Sequence, residues 1–370
     1  MATPAQPISK RRSRNRQQTQ VNLTIITDPL QSAERAGLHY VAADGPGIRR
    51  QRSGRGFCYL DADGNKVCDR QILLRIKALI IPPAWENVWI CPSPTGHLQA
   101  TGYDAKGRKQ YRYHADWHAH RGQTKFNRMI PFGLVLPKIR QQTDEHLRLH
   151  DLCREKVLAT VVQLLEKTLI RVGNDEYAIK NKSFGLTTMR DRHVKVSRGA
   201  VQFQFRGKSG VKHAITLDDR RLARVVKQCR DIPGQDLFQY FDEVGQRQTL
   251  GSGDVNDYLR TITGEDFTAK DFRTWAGTVQ TAIELTAIGD FSSQTAAKKN
   301  ITQAIKTVAA RLGNRPATCR KYYVHPAILD AYTQGALLPP MAQAQSRDVS
   351  DSYSLNPEEQ AVLTLLEQSL

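Results

Sequence analysis

The dominant hydrophobic period of this chain changes near residue 120. Upstream, residues 54–113 break into short runs in which apolar and polar residues alternate, the pattern of strands with one covered face. Downstream, apolar residues recur at three- and four-residue intervals over long stretches, the pattern of helices. A chain that segregates its strands from its helices in this way reads as α+β, with a small β-rich N-terminal domain and a larger, mainly helical one.

In the first part, "GFCYLDADGNKVCD" gives two short strands around a turn at Gly64. Its Asp61-x-Asp63-Gly64 resembles the opening of a calcium loop, but Ile72 stands where the closing Glu belongs. "RQILLRIKALIIPPAW" predicts a short helix stopped by Pro82-Pro83. "NVWICPS", "HLQATGYD" and "KQYRYHA" predict further strands, the last with Tyr111 and Tyr113 on one face. The polar stretch 119–128, "AHRGQTKFNR", reads as a hinge.

Beyond it, "DLCREKVLATVVQLLEKTLIRVG" predicts a helix with Leu152, Val157, Val161, Leu164, Leu165 and Leu169 on one broad face, ending near Gly173. More helices are expected at 218–230, 253–262, 270–288, 295–312 and 325–334. One β insertion, "HVKVSRGAVQFQFRGKSGVKHAITL", runs out along Val201, Phe203 and Phe205 and returns through Gly207-Lys208-Ser209-Gly210. "NPEEQAVLTLLEQSL" carries an Asn356 cap and Pro357 in the first turn, a helix whose role is packing or regulation. The expected organisation is a basic disordered arm at 1–22, a β-rich domain at 23–120, a mainly helical domain with a small antiparallel sheet at 121–345, and an acidic tail with a short helix at 346–370.

Charge narrows the function. The formal net charge is +18. Setting aside the five positives of the first twenty residues and the net four negatives of the last 25 leaves +17 on residues 21–345. The excess belongs to the body of the protein, which points to a polyanion partner, nucleic acid before membrane. No run of 18 apolar residues exists, and the N-terminus lacks the apolar core of a signal peptide. Six cysteines without a Cys-x-x-Cys pair suit free thiols in a reducing compartment. A cytoplasmic protein is expected, nucleoid-associated if bacterial.

Several constellations carry less than they suggest. Gly207-Lys208-Ser209 is no phosphate loop, because position 202 is Gln where the Walker pattern needs Gly. His146 and His150 have helical spacing, and His114, His118 and His120 cluster, yet no carboxylate or thiol completes a ligand set; no metal is expected. "GYDAKGRKQYRYHADWHAHR" interleaves Lys106, Arg108, Lys109 and Arg112 with Tyr111, Tyr113 and Trp117, either a strand for a nucleic-acid groove or a solvated face. "TAKDFRTWAG" sets Lys270 and Arg273 one turn apart on a helix face, Arg being suited to bidentate phosphate contact. "GNRPATCRKYYVHP" places Tyr322 and Tyr323 behind an Arg-Lys pair.

Taken in order, "PPAWENVWI", "GRKQYRY", "RVGNDEY", "SFGLTTMRDRHV", "FRGKSG", "KDFRTW" and "GNRPATCRKYYVHP" resemble the type IB DNA topoisomerases of the compact poxviral and bacterial form, over residues 45–340. The resemblance implies Tyr323 as nucleophile, Arg171 and Arg273 as catalytic arginines, and Lys208 as catalytic lysine. Asn314 stands where many relatives carry His; its amide still donates a hydrogen bond but carries no charge. It also implies that Gln110, Tyr111 and Tyr113 contact a DNA groove, with Lys109 and Lys270 beside the phosphates. The two domains would close as a clamp around double-stranded DNA, in a monomer needing neither ATP nor metal. One strand would be cut through a 3′-phosphotyrosyl bond, and supercoils of either sign would be lost by rotation.

Chemistry agrees with that assignment. A phenol of pKa about 10 is a poor nucleophile at neutral pH until cations assist it. Arg171, Arg273 and Asn314 would stabilise charge on the non-bridging oxygens, and Lys208 would protonate the departing 5′-oxygen. A tyrosine recombinase or integrase uses a similar set, but its second arginine usually follows His-x-x, whereas Lys270-Asp-Phe-Arg273 stands here. A non-catalytic protein that bends or coats duplex is the remaining alternative.

Overall fold

A computed structural model of the protein describes residues 29–43, 45–105, 107, 109–117, 125–197, 199–345 and 351–369. The basic arm, Lys106, Arg108, His118, His120 and most of the 119–128 stretch lie outside them.

The N-terminal part contains α1 (Pro29–Arg35), β1 (Ile48–Ser53), β2 (Gly56–Leu60), α2 (Arg70–Ala78), β3 (Glu86–Ile90), β4 (Leu98–Tyr103) and β5 (Lys109–Tyr113). The strands form one antiparallel sheet in the order β2-β1-β3-β4-β5. Ile48, Ile76, Val88, Ile90 and Ala100 are its core. β1 was hidden in the sequence because it reads Ile-Arg-Arg-Gln-Arg-Ser and buries only Ile48. The hairpin expected around Gly64 is present in short form, an antiparallel Leu60–Lys66 bridge flanked by Asp61 N–Asn65 O and Val67 N–Tyr59 O bonds of 2.9 Å, and the main partner of β2 is β1. In α2, the Asp69 carboxylate accepts from the Gln71 and Ile72 amides. The helix ends at Ala78, before the prolines, where Ile80 takes φ of 48°.

The second part contains α3 (Met129–Leu147), α4 (Arg154–Thr168), α5 (Asp175–Asn181), β6 (Val194–Ser197), β7 (Ala200–Arg206), β8 (Lys212–Asp218), α6 (Arg220–Asp231), β9 (Gln239–Phe241) and β10 (Arg247–Thr249). It continues through α7 (Ser252–Thr263), α8 (Ala269–Ile288), α9 (Gln294–Arg311), α10 (Pro316–Tyr323), α11 (Pro326–Thr333), α12 (Leu338–Gln345) and α13 (Pro357–Gln368). The single broad face expected for α4 is too narrow a description. Val157, Leu158, Val161, Val162, Leu164 and Leu165 are all fully buried, so apolar residues surround the helix and it forms the centre of the core. β6, β7 and β8 make a three-stranded antiparallel sheet, one strand more than expected. The protein is thus α+β.

α13 belongs to this core. Val362, Leu363 and Leu366 are buried in it. Arg140 on α3 bonds Glu166 on α4 at 2.8 Å and Glu359 on α13 at 2.9 Å, and donates to the Ser354 carbonyl at 2.8 Å. Trp275 on α8 donates its indole N–H to Glu359 at 3.2 Å. Among the described residues no helix is long and apolar enough to cross a membrane.

Candidate active site

α4 ends earlier than its hydrophobic pattern suggests. Leu169 adopts φ of 57°, stopping the helix at Thr168 and turning residues 170–173 out of it. This early stop sets the site. Freed from the helix, Arg171 is fixed through its backbone, its carbonyl accepting from the Leu186 amide at 2.9 Å. Its guanidinium donates to the Asn314 side-chain carbonyl and to the Gly313 carbonyl at 3.3 Å.

Arg273 comes from α8. At the start of that helix the Asp271 carboxylate accepts from the Thr268 amide at 2.8 Å and hydroxyl at 3.0 Å, and Arg128 anchors Asp271 at 3.2 Å. Only 4% exposed, Arg273 donates to the Leu169 carbonyl and, at 2.7 Å, to the Leu312 carbonyl. The helix stop after α4 and the end of α9 are therefore tied by one guanidinium. Its Nε has no partner, and neither does the buried Asn314 Nδ2. Buried donors are ordinarily paired; here Arg273, which holds the Leu312 carbonyl, and Asn314, two residues further along, each leave one over.

Tyr323 is the last residue of α10 and lies half-buried, with the Arg273 guanidinium 5.3 Å from its ring centroid. Its carbonyl accepts from the Thr278 hydroxyl at 3.3 Å, and that hydroxyl accepts from the His325 amide at 3.0 Å. Gly277 is required for this docking, since a Cβ there would lie 2.4 Å from the Tyr323 carbonyl oxygen. Burial pulls the Arg171 pKa down while Tyr323 pulls it up. Burial and then Arg171 push Arg273 down to about 10, against Tyr323 and Cys319. The phenol is thus electrostatically tied to both arginines. Tyr322 is 40% exposed, with the Lys321 ammonium 5.4 Å from its ring.

Lys208 is exposed at the β7–β8 turn, where Ser209 and Gly210 take φ of 62° and 79°. It lines the same narrow cleft as Arg171, His213, Arg273 and Arg311. So the structure brings Arg171, Lys208, Arg273, Asn314 and Tyr323 into one neighbourhood, from β7–β8, α8, α10 and two loops. Lys270 sits one turn before Arg273 and is exposed. The other residues read as DNA-contacting lie elsewhere, on the edge strand β5. There Tyr111 is 48% exposed and stacks on Tyr113 at 5.9 Å. The Lys109 ammonium lies 5.9 Å from the Tyr111 ring, and Gln110 donates to Asp104 at 3.0 Å.

Residues 114–338 match the family model described as eukaryotic DNA topoisomerase I, catalytic core. Residues 56–104 match that of the bacterial DNA topoisomerase IB N-terminal domain. The chain is 33% identical over 293 residues to DNA topoisomerase 1B of Acanthamoeba polyphaga mimivirus, spanning 77% of this chain and 87% of the relative. It is 23% identical over 249 residues to DNA topoisomerase 1B of Vaccinia virus (strain Copenhagen), spanning 66% and 75%. The chain belongs to the type IB DNA topoisomerases.

Sequence reasoning passed over two cations that this topoisomerase holds at the site, Arg311 in the cleft wall and Lys125. Lys125, within the stretch read as a hinge, buries its ammonium without a hydrogen-bond partner. The ammonium lies 4.7 Å from the Phe126 ring, 5.3 Å from Tyr323 and 5.9 Å from Tyr322. Burial, then Lys270, lower its pKa to about 7, against Asp271 and Cys319. A lysine beside an aromatic in a polar segment was the available signal, and it is a weak one. Among the described residues no three His, Cys, Asp or Glu side chains gather as a metal-holding group. His146 pairs instead with the Tyr258 hydroxyl at 2.7 Å.

Proposed function

We propose that this topoisomerase relaxes positively and negatively supercoiled duplex DNA by cutting and resealing one strand through Tyr323. The observation that carries the reading is the pair of unpartnered donors, Arg273 Nε and Asn314 Nδ2, beside the tyrosine that both arginines sense. Donors left buried and empty are prepared for an acceptor, and a phosphodiester supplies it.

In the forward step the Tyr323 hydroxyl oxygen bonds to phosphorus and the bond to the 5′-oxygen breaks. The phenol proton passes to solvent, and Lys208 gives a proton to the departing oxygen. Arg171, Arg273 and Asn314 hold the non-bridging oxygens as charge builds on them. One phosphodiester is exchanged for another, so the bond energy is retained and the free 5′-hydroxyl reseals the strand without ATP. Side-chain cations supply the charge stabilisation, so the reading calls for no metal.

The same reading makes β5 the DNA-contacting strand, with Gln110, Tyr111 and Tyr113 at base edges and Lys109 and Lys270 at phosphates. The β-rich domain at 23–120 and the helical domain at 121–345 close around the duplex as a clamp, in a cytoplasmic monomer. The exposure of Tyr111 and the basic body support it.

The test is relaxation of plasmids of either supercoil sign in EDTA without ATP, with Tyr323→Phe alongside. Relaxation of both plasmids by the wild-type protein, with binding but no covalent adduct from Tyr323→Phe, is the expected result. Relaxation by the Phe protein would refute the nucleophile assignment.

A further inference from the structure

We propose that His213 is a further phosphate-contacting residue of the cleavage site, its imidazole donating to a non-bridging oxygen beside Asn314. The proposal rests on the reading of Tyr323 as nucleophile.

His213 stands on β8 directly opposite Phe205 on β7, and the two rings stack at 4.9 Å with 12° between their planes. The stack directs the imidazole into the cleft lined by Arg171, Lys208, Arg273 and Arg311. Two glycines let it approach closely. A Cβ on Gly207 would lie 2.7 Å from His213 Nε2, and one on Gly313 would lie 2.4 Å from its Cε1. Those glycines immediately precede Lys208 and Asn314, so one ring touches the backbone beside the proposed acid and beside the proposed amide donor.

An aromatic spacer would need only its shape. His213 adds two ring nitrogens, and neither has a hydrogen-bond partner among the described residues. The cleft wall around it carries four cations, Arg171, Lys208, Arg273 and Arg311, and no carboxylate. Burial, then Arg171 and Arg273, lower its pKa. A neutral imidazole still has one N–H to give. A phosphodiester entering the cleft offsets the two guanidiniums and so favours the imidazolium, which donates more strongly. Asn314 cannot gain charge in this way, and His213 provides the ionisable donor that the amide lacks.

The experiment compares single-turnover formation of the Tyr323 adduct by wild-type protein, His213→Phe and His213→Gln on one duplex, with duplex affinity measured separately. Phe keeps the stack on Phe205 and the wedge between the glycines but removes the donor. It is expected to bind duplex about as well as wild type while forming the adduct about 100-fold more slowly. Gln, an uncharged donor, is expected to recover at least about a tenfold part of that loss. Wild-type rates from His213→Phe would overturn the proposal and leave His213 a spacer. Should the Phe protein not fold, His213→Gln and His213→Ala make the same comparison: a faster Gln protein supports the donor, and equal rates refute it. Failure of the underlying reading looks different, because the wild-type protein would then form no adduct at Tyr323.

Discussion

Asn314 gives its side-chain carbonyl to Arg171 and keeps its amide nitrogen buried without a partner. The residue is oriented by the arginine so that its donor end is free. Replacing it by Asp keeps the acceptor and deletes the donor. Asn314→Asp is expected to ion-pair with Arg171, raise the melting temperature, and slow adduct formation by about 100-fold or more, because a carboxylate then faces the phosphate. An Asp protein that cleaves at the wild-type rate would remove Asn314 from the site.

The C-terminal helix carries a second prediction. Glu359 lies 219 positions from Arg140 and binds it, while also accepting from Trp275, two residues after Arg273. Glu359→Ala leaves Arg140 short of a partner inside the core and the Trp275 indole without an acceptor. The cost expected is about 3–5 kcal/mol, as for other broken buried ion pairs. Deleting residues 346–370 removes the cover from the same core and is expected to abolish cooperative unfolding. Denaturant titration of both proteins decides it; a truncated protein as stable as the full chain would make the helix an appendage.

That pair also marks how far the sequence could be read. Arg171, Lys208, Arg273, Asn314 and Tyr323 were legible because each sits in a short contiguous motif, and the structure gathers them. Helices α7, α8, α9 and α13 were legible because caps and apolar period agree with their packing. What stayed hidden depends on long-range contact or on charge. β1 lacks apolar alternation since its residues other than Ile48 face outward or are only partly covered. The stop at Leu169 carries no glycine or proline. It is held by Arg273, 104 positions away, which no local period records.

His325 supplies a pH dependence. Its Nδ1 accepts from the Ala327 amide at 3.1 Å, capping α11, and its ring meets Phe126 edge-on at 5.0 Å. Burial pushes its pKa down to about 4; Asp330 pulls it back and Lys125 pushes it further. In the unfolded chain the value is about 6.5. Between those values the unfolded state binds more protons, so stability is full above about pH 6.5 and falls as pH drops toward 4, by about 3 kcal/mol in all. His325→Asn retains a capping acceptor without the titration. Its melting temperature is expected to vary less between pH 4 and 7; an unchanged slope would assign the effect to other groups.

Lys125 sets stability against activity. A buried ammonium without an acceptor is costly, and aromatic faces repay only part of it. Lys125→Met keeps the length and removes the charge. It is expected to raise stability by about 1–4 kcal/mol at neutral pH and to slow adduct formation, because the nearest cation over the Tyr323 ring besides Arg273 is lost. The sign follows from the pKa of about 7 in the folded protein against about 10.4 unfolded. The charged form is disfavoured by folding, so the wild-type chain loses stability as pH falls from about 10 to 7 and no more below that. The advantage of the Met protein is therefore full at pH 7 and below and fades toward pH 10. Equal melting temperatures for the two proteins at pH 7 would mean that the ammonium is compensated by a contact outside the described residues. Equal cleavage rates would mean that it acts on the fold alone.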